Sequence, residues 1–224
     1  MTCSALLFAL LPAFAGHAQQ PKDASPDARI RYYRGRLGGA STYPAYARLG
    51  LAYAEKARGT GRVSYYLDAA RYLQRSLSFQ RNYEALLGLS GVSLALHRFP
   101  EALAYAREAA DTMAGDPAAQ GALFDALLGS GDHLAAERTL ETFATKGSFE
   151  YFVRRAALLE YRGQTAEALY DVEKACAIPE AGALPVTTRA WCKLRQGALH
   201  LGLCRPDQAH TAYDRSLLIF PKYF

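Results

Sequence analysis

The chain has 224 residues, half of them apolar and 21% charged, which suits one or two ordinary domains or a short repeat array and excludes a chain disordered by composition. With 18 Gly and 10 Pro it is neither collagen-like nor of low complexity. Its 26 Lys and Arg exceed its 21 Asp and Glu by five, too few to imply a nucleic-acid partner unless the positive charges cluster.

Residues 5–15 form an apolar run, roughly half the length that spans a bilayer. Ala13, Ala15, Gly16 and Ala18 put small residues at cleavage positions, so residues 1–18 read as a signal peptide and the protein as exported, periplasmic or secreted. Met1–Ser4 carries no Lys or Arg, and the other reading is an apolar helix that caps the fold of a cytoplasmic protein. Residues 19–42 then form a linker and a short capping helix around Asp27–Leu37. Arg29, Arg31, Arg34 and Arg36 stand there beside Tyr32 and Tyr33. Arginines among aromatics can bind single strands or an anionic membrane surface, but a solvated basic helix face accounts for them equally. The expectation is therefore no nucleic acid and at most peripheral membrane contact.

From residue 43 onward one helical phrase recurs. Ala168, Val172 and Ala175 share a helix face, between Gly163, which ends the preceding helix, and Pro179. Ala102 with Ala106 and Ala109, Ala136 with Leu140 and Phe143, Ala209 with Tyr213 and Ser216, and Ala69 with Leu73 and Ser76 repeat it. The marker alanines 69, 102, 136, 168 and 209 are spaced by 33, 34, 32 and 41 residues. A period near 34 holding two helices is a tetratricopeptide spacing.

On these residues, residues 43–224 resemble the tetratricopeptide-repeat (TPR) family. The first helices agree: Leu49-Gly50 with Tyr53, then Leu86 and Leu89, Leu123 and Leu127, Phe152 and Ala156, Leu194 and Gly197. The chain also looks like exported bacterial TPR proteins with an enlarged first hairpin loop, here Ala57–Ser64. The resemblance implies an all-α, right-handed TPR solenoid of about five helix-turn-helix repeats, at 43–82, 83–116, 117–148, 149–180 and 189–224. As a class statement it implies protein binding on a concave face lined by first helices. Some positions depart from the pattern. Arg155 and Gln196 stand where apolar residues are expected, Cys204 replaces a turn glycine, and residues 180–188 lengthen the last link.

Register places Leu51, Glu55, Leu87, Leu94, Asp125, Glu160, Tyr161, Trp191 and Leu194 on the concave face, with Ala47, Glu84, Gly91, Ala122, Glu150, Val153, Ala198 and Leu201 beside them. Trp191, the single Trp, is the natural anchor, the alternative being that it packs between repeats four and five. An acidic, apolar lining would prefer basic or apolar peptide segments. No Lys/Arg clamp for a peptide carboxylate is visible. No catalytic residue, cofactor or metal is expected: Ser90 lies inside a helix, and His200, Cys204 and His210 lack a fourth ligand. Cys176, Cys192 and Cys204 read as small buried helix residues. The alternative is a Cys176–Cys192 disulfide that staples repeats four and five across their link. The apolar run Leu217–Phe220 ends the array without a polar cap and offers an edge for a homo-oligomer, the alternative to the scaffold reading.

Overall fold

The computed structural model describes residues 25–38, 42–143, 146–178 and 184–221. The expected signal peptide lies outside these residues, as do positions 222–224 and the first part of the 180–188 link. Within them the chain is helical throughout: α1 (Pro26–Arg34), α2 (Thr42–Thr60), α3 (Val63–Phe79), α4 (Tyr83–Ala95), α5 (Phe99–Thr112), α6 (Pro117–Gly129), α7 (His133–Glu141), α8 (Phe149–Tyr161), α9 (Thr165–Ala177), α10 (Val186–Gly202) and α11 (Pro206–Ile219). The last ten pair into five antiparallel hairpins. Within this stack α2 meets α4, α4 meets α6 and α6 meets α8, so first helices line one face. Helix α1 packs on α2 where the second helix of a preceding repeat would sit, held by Arg29 to Glu55, Lys56 to Asp27 and Arg34 to the Tyr53 hydroxyl.

Local chemistry sets the helix ends. Side chains of Ser25, Asn82, Asp116, Asp132 and Ser148 accept the first free N–H groups of α1, α4, α6, α7 and α8. The hairpin turns of repeats two to five are all one motif. His97, Gly131, Gly163 and Cys204 adopt positive φ, and the following N–H reaches back to Ser93, Leu127, Leu159 and His200 carbonyls at 2.8–3.0 Å. Cys204 thus adopts the left-handed conformation at φ 55° that the missing glycine would have taken more cheaply. The first hairpin differs from expectation. The extra residues 57–64 do not enlarge a loop: α2 runs on to Thr60 and α3 starts at Val63, so the addition lengthens both helices.

The marker alanines are buried between paired helices, with at most 2% of Ala69, Ala102, Ala136, Ala168 and Ala209 exposed. Glycine serves the same close approach from the other helix. A Cβ on Gly50 would lie 2.6 Å from Leu73 Cγ, and one on Gly197 would strike the Tyr213 ring. Arg155 does not waste its apolar position. Its Nε and Nη2 both donate to Asp171, whose side chain is 1% exposed, and the guanidinium carbon lies 5.5 Å and 5.4 Å from the Tyr151 and Phe152 ring centroids. The hydrogen bonds to Asp171 hold the Arg155 proton even more firmly than usual. Gln196 is half-buried and accepts from Lys193 Nζ at 3.1 Å.

Cys176, late in α9, and Cys192, early in α10, form a disulfide with Cα atoms 6.0 Å apart, within the ordinary span of such bonds. It fastens the fifth hairpin to the fourth at the junction with the long link. Cys204 is exposed and free rather than buried.

Candidate functional site

The concave face holds two connected depressions. The first, about 300 Å³, runs along α4, α6 and α8, floored by Leu87, Gly91, Leu94 and Ala122 and bounded by Asp125 and Arg154. The second, about 470 Å³, shares Glu150 and Arg154 with it. There Arg58 at the end of α2 and Tyr66 on α3 face Phe149, Val153 and Trp191 on α8 and α10. The first repeat and the last two therefore enclose one chamber across the groove. Trp191 is half-buried and meets the Phe149 ring edge-on, centroids 6.3 Å apart.

The structure brings Leu87, Leu94 and Asp125 into the first depression and Trp191 into the second, and treats the other expected residues differently. Leu51 packs inward against α4, 2.9 Å from where a Gly88 Cβ would stand, and Ala47 is wholly buried. Glu55 is taken by Arg29 of the capping helix. Tyr161 is exposed and stacks on His133, ring centroids 3.4 Å apart. Leu194 is half-buried on α10 and lines neither depression.

The lining is not a row of free carboxylates. Asp125 takes a bidentate pair from Arg154 at 2.7 and 3.0 Å, Glu160 pairs with Arg195, and Arg48 stands 3.9 Å from Glu84. Burial raises the Asp125 pKa against the pull of Arg154, and raises that of Glu84 against the weaker pull of Arg48. Gly121 makes room for the Arg154 guanidinium, which a Cβ would approach to 2.6 Å, while its carbonyl accepts from Nε at 3.2 Å. Each pair joins two successive repeats, so the preference for basic segments loses its basis. Arg58 has no carboxylate partner among the described residues. Tyr66 beside it has its pKa raised by burial, with Arg58 acting in the opposite sense.

Sequence reasoning misses Arg58, Tyr66, Phe149 and Arg154. Arg58 continues the α2 row of Leu51 and Glu55, a signal obscured by assigning residues 57–64 to a loop. His200 is half-buried with Nδ1 lacking a partner, and His210 is exposed 3.4 Å from Asp214. Among the described residues no group of three or more His, Cys, Asp or Glu gathers as a metal site would require.

Stacked hairpins, left-handed turns and small-residue crossings define an all-α TPR solenoid. No family model and no curated protein matches the chain. Solved structures do, and they are TPR proteins. TTC0263, a thermophilic TPR protein of Thermus thermophilus, is 18% identical with a TM-score of 0.67, over 81% of this chain and 93% of that one. The Cut9–Hcn1 hetero-tetramer of the APC/C gives a TM-score of 0.73 at 14% identity over 88% of this chain and 37% of its counterpart. A TPR protein from Parabacteroides merdae ATCC 43184 gives 0.58 at 12% identity, covering 86% of this chain and 71% of the other. At such identities the likeness concerns the fold.

Proposed function

We propose that the chain is an exported interaction scaffold, not an enzyme, that holds an extended segment of a protein partner along its concave groove. The observation that carries this reading is the 470 Å³ chamber in which Arg58 and Tyr66 face Phe149 and Trp191. It has the size and aromatic walls of a pocket for one large apolar side chain of a partner, while Leu87 and Leu94 offer apolar contact to the segment that follows. Arg58 and Glu150 supply polar ends for the segment's main chain. Export draws support from the Cys176–Cys192 bond, a linkage that persists in oxidising compartments.

The test is co-purification of the tagged chain from its native envelope fraction beside Trp191→Ala and Tyr66→Ala variants. Partners retained by the parent chain and lost from both variants, at unchanged circular dichroism, support the groove. Identical partners on all three baits overturn it. N-terminal sequencing of the same material reads export separately: a start near Gln19 supports it, and a chain retaining Met1 overturns it. Self-association is the second reading. It is favoured by Leu201, Leu217 and Leu218 on the last hairpin, the last of them 81% exposed. A concentration-dependent mass that Leu218→Glu abolishes would establish it.

A further inference from the structure

Charge is spread unevenly along this chain. Between residues 25 and 81 eleven Lys and Arg stand against three Asp and Glu, a net +8, whereas residues 82–224 carry a net −3. Folding gathers that excess at the first-repeat end of the solenoid. On α3, Val63, Leu67, Arg71, Arg75 and Phe79 follow one another at four-residue intervals and form a single ridge. The whole ridge is exposed: Val63 by 59%, Leu67 by 50% and Phe79 by 49%, with both arginines in solvent. Tyr66, which lines the groove, falls outside it.

Beside the ridge a ladder of rings joins α3 to α2. Tyr53 stacks on Tyr72 at 5.4 Å between centroids, Tyr72 on Tyr46 at 6.3 Å, and Tyr46 on Phe79 at 5.6 Å. Guanidinium groups cover it step by step: Arg34 lies 5.6 Å from the Tyr53 centroid, Arg71 4.9 Å from Tyr72 and Arg75 4.5 Å from Phe79. Of these three, Arg71 alone has a carboxylate partner among the described residues, Asp68 at 2.7 Å.

We propose that this end of the solenoid rests on an anionic phospholipid surface, with the α3 ridge in the headgroup layer. Val63 and Leu67, neighbours on one face of α3, supply apolar contact with the acyl boundary. Arg71 and Arg75 meet lipid phosphates, and the tyrosines beside them have the amphipathic character suited to that depth. A nucleic-acid strand would call for different chemistry. Bases need free ring faces on which to stack, and here the faces are already covered by other rings and by guanidiniums. Nor would a strand use the exposed Val63 and Leu67. The negative remainder of the chain gives the molecule one positive end to present to such a surface. Among the described residues no helix is long and apolar enough to cross a membrane.

Flotation of the full chain with vesicles of equal parts phosphatidylglycerol and phosphatidylcholine, and with phosphatidylcholine alone, tests this. The parent chain should float with the anionic vesicles and much less with the neutral ones. Arg71→Ala/Arg75→Ala should weaken partitioning roughly thirtyfold, the fold-change for two basic groups leaving the surface. Val63→Ser/Leu67→Ser should weaken it at unchanged charge. The apolar run at residues 5–15 is common to all three chains and cancels from the comparison. Gln74→Glu/Ser78→Glu adds negative charge to the same exposed face and should abolish flotation even if the alanine pair unfolds. Retention of the parent's binding to anionic vesicles by the arginine and glutamate variants overturns the proposal. So does a single-stranded oligonucleotide that binds the parent chain, is lost with the arginines and is indifferent to Val63 and Leu67.

Discussion

Replacing Arg155 by leucine should be more damaging than its half-exposed position suggests. Asp171 sits inside the fourth hairpin with a side chain 1% exposed, and Arg155 is its partner. Removing the guanidinium leaves a buried carboxylate with no counter-charge, a change that costs about 3–5 kcal/mol in comparable cases. The Arg155 side chain is 38% exposed, so water can reach the gap and the lower end, about 3 kcal/mol, is expected. Asp171→Leu should cost only about 1 kcal/mol, because the freed guanidinium can turn outward to water on its long stem. The double variant Arg155→Leu/Asp171→Leu should return to within about 1 kcal/mol of the parent, since an apolar pair replaces an ion pair whose desolvation offset most of its attraction. Urea unfolding read by circular dichroism supplies the cycle. Hydrogen exchange at α8 and α9 amides localises it, because a repeat array can lose one hairpin before the rest. An Arg155→Leu variant within about 0.5 kcal/mol of the parent, or a double variant as weak as the worse single one, would refute the argument.

Three further outcomes follow from the same structure. Breaking the Cys176–Cys192 bond by Cys→Ser at both positions should cost about 3 kcal/mol from the short loop it closes. It should also red-shift the emission of Trp191, its neighbour in α10; an unchanged spectrum and melting temperature would argue against the bond. Gly50→Ala should destabilise by about 1–3 kcal/mol, because its Cβ meets Leu73 at 2.6 Å. Gly91→Ala, whose Cβ meets nothing within 4 Å, should stabilise by about 0.5–1 kcal/mol, and thermal melts compare the two. Asp116 has its pKa lowered by the Tyr83 hydroxyl and then by the Ala119 and Ala118 amides. A depressed acid stabilises above its unfolded pKa and loses that contribution as pH falls through the folded one. The parent chain should therefore lose stability relative to Asp116→Asn on acidification below about pH 4, a gap that chemical melts across that range would measure.

The repeat architecture was legible because it rests on spacing. Ala69, Ala102, Ala136, Ala168 and Ala209 mark helix crossings where only a small side chain fits, and such a requirement leaves its trace in a single sequence. The groove was legible only in part. Register identified the face of Leu87, Leu94, Asp125 and Trp191, but it says nothing of a partner more than twenty positions away. Hence Asp125 and Glu160 looked like free carboxylates until Arg154 and Arg195 arrived from the next repeat. Leu51 shows a related gap: register gives the side of its own helix, not that part of the side chain packs against Gly88 of the next repeat. Register also brought Cys176 and Cys192 near one another, yet could not choose between two buried thiols and a bond.

At each inner junction of the array one polar pair ties a first helix to the next: Arg48 to Glu84, Tyr83 to Asp116, Asp125 to Arg154 and Glu160 to Arg195. Mechanically these are struts along the inner rim of a curved spring, where length changes most when the spring flexes. Three of the four are charged on both sides, and the side chains of Arg48, Glu84 and Glu160 are partly open to solvent, so salt softens them without touching the apolar packing behind. Rising ionic strength therefore weakens the ties between repeats and leaves the alanine crossings within each hairpin as they are.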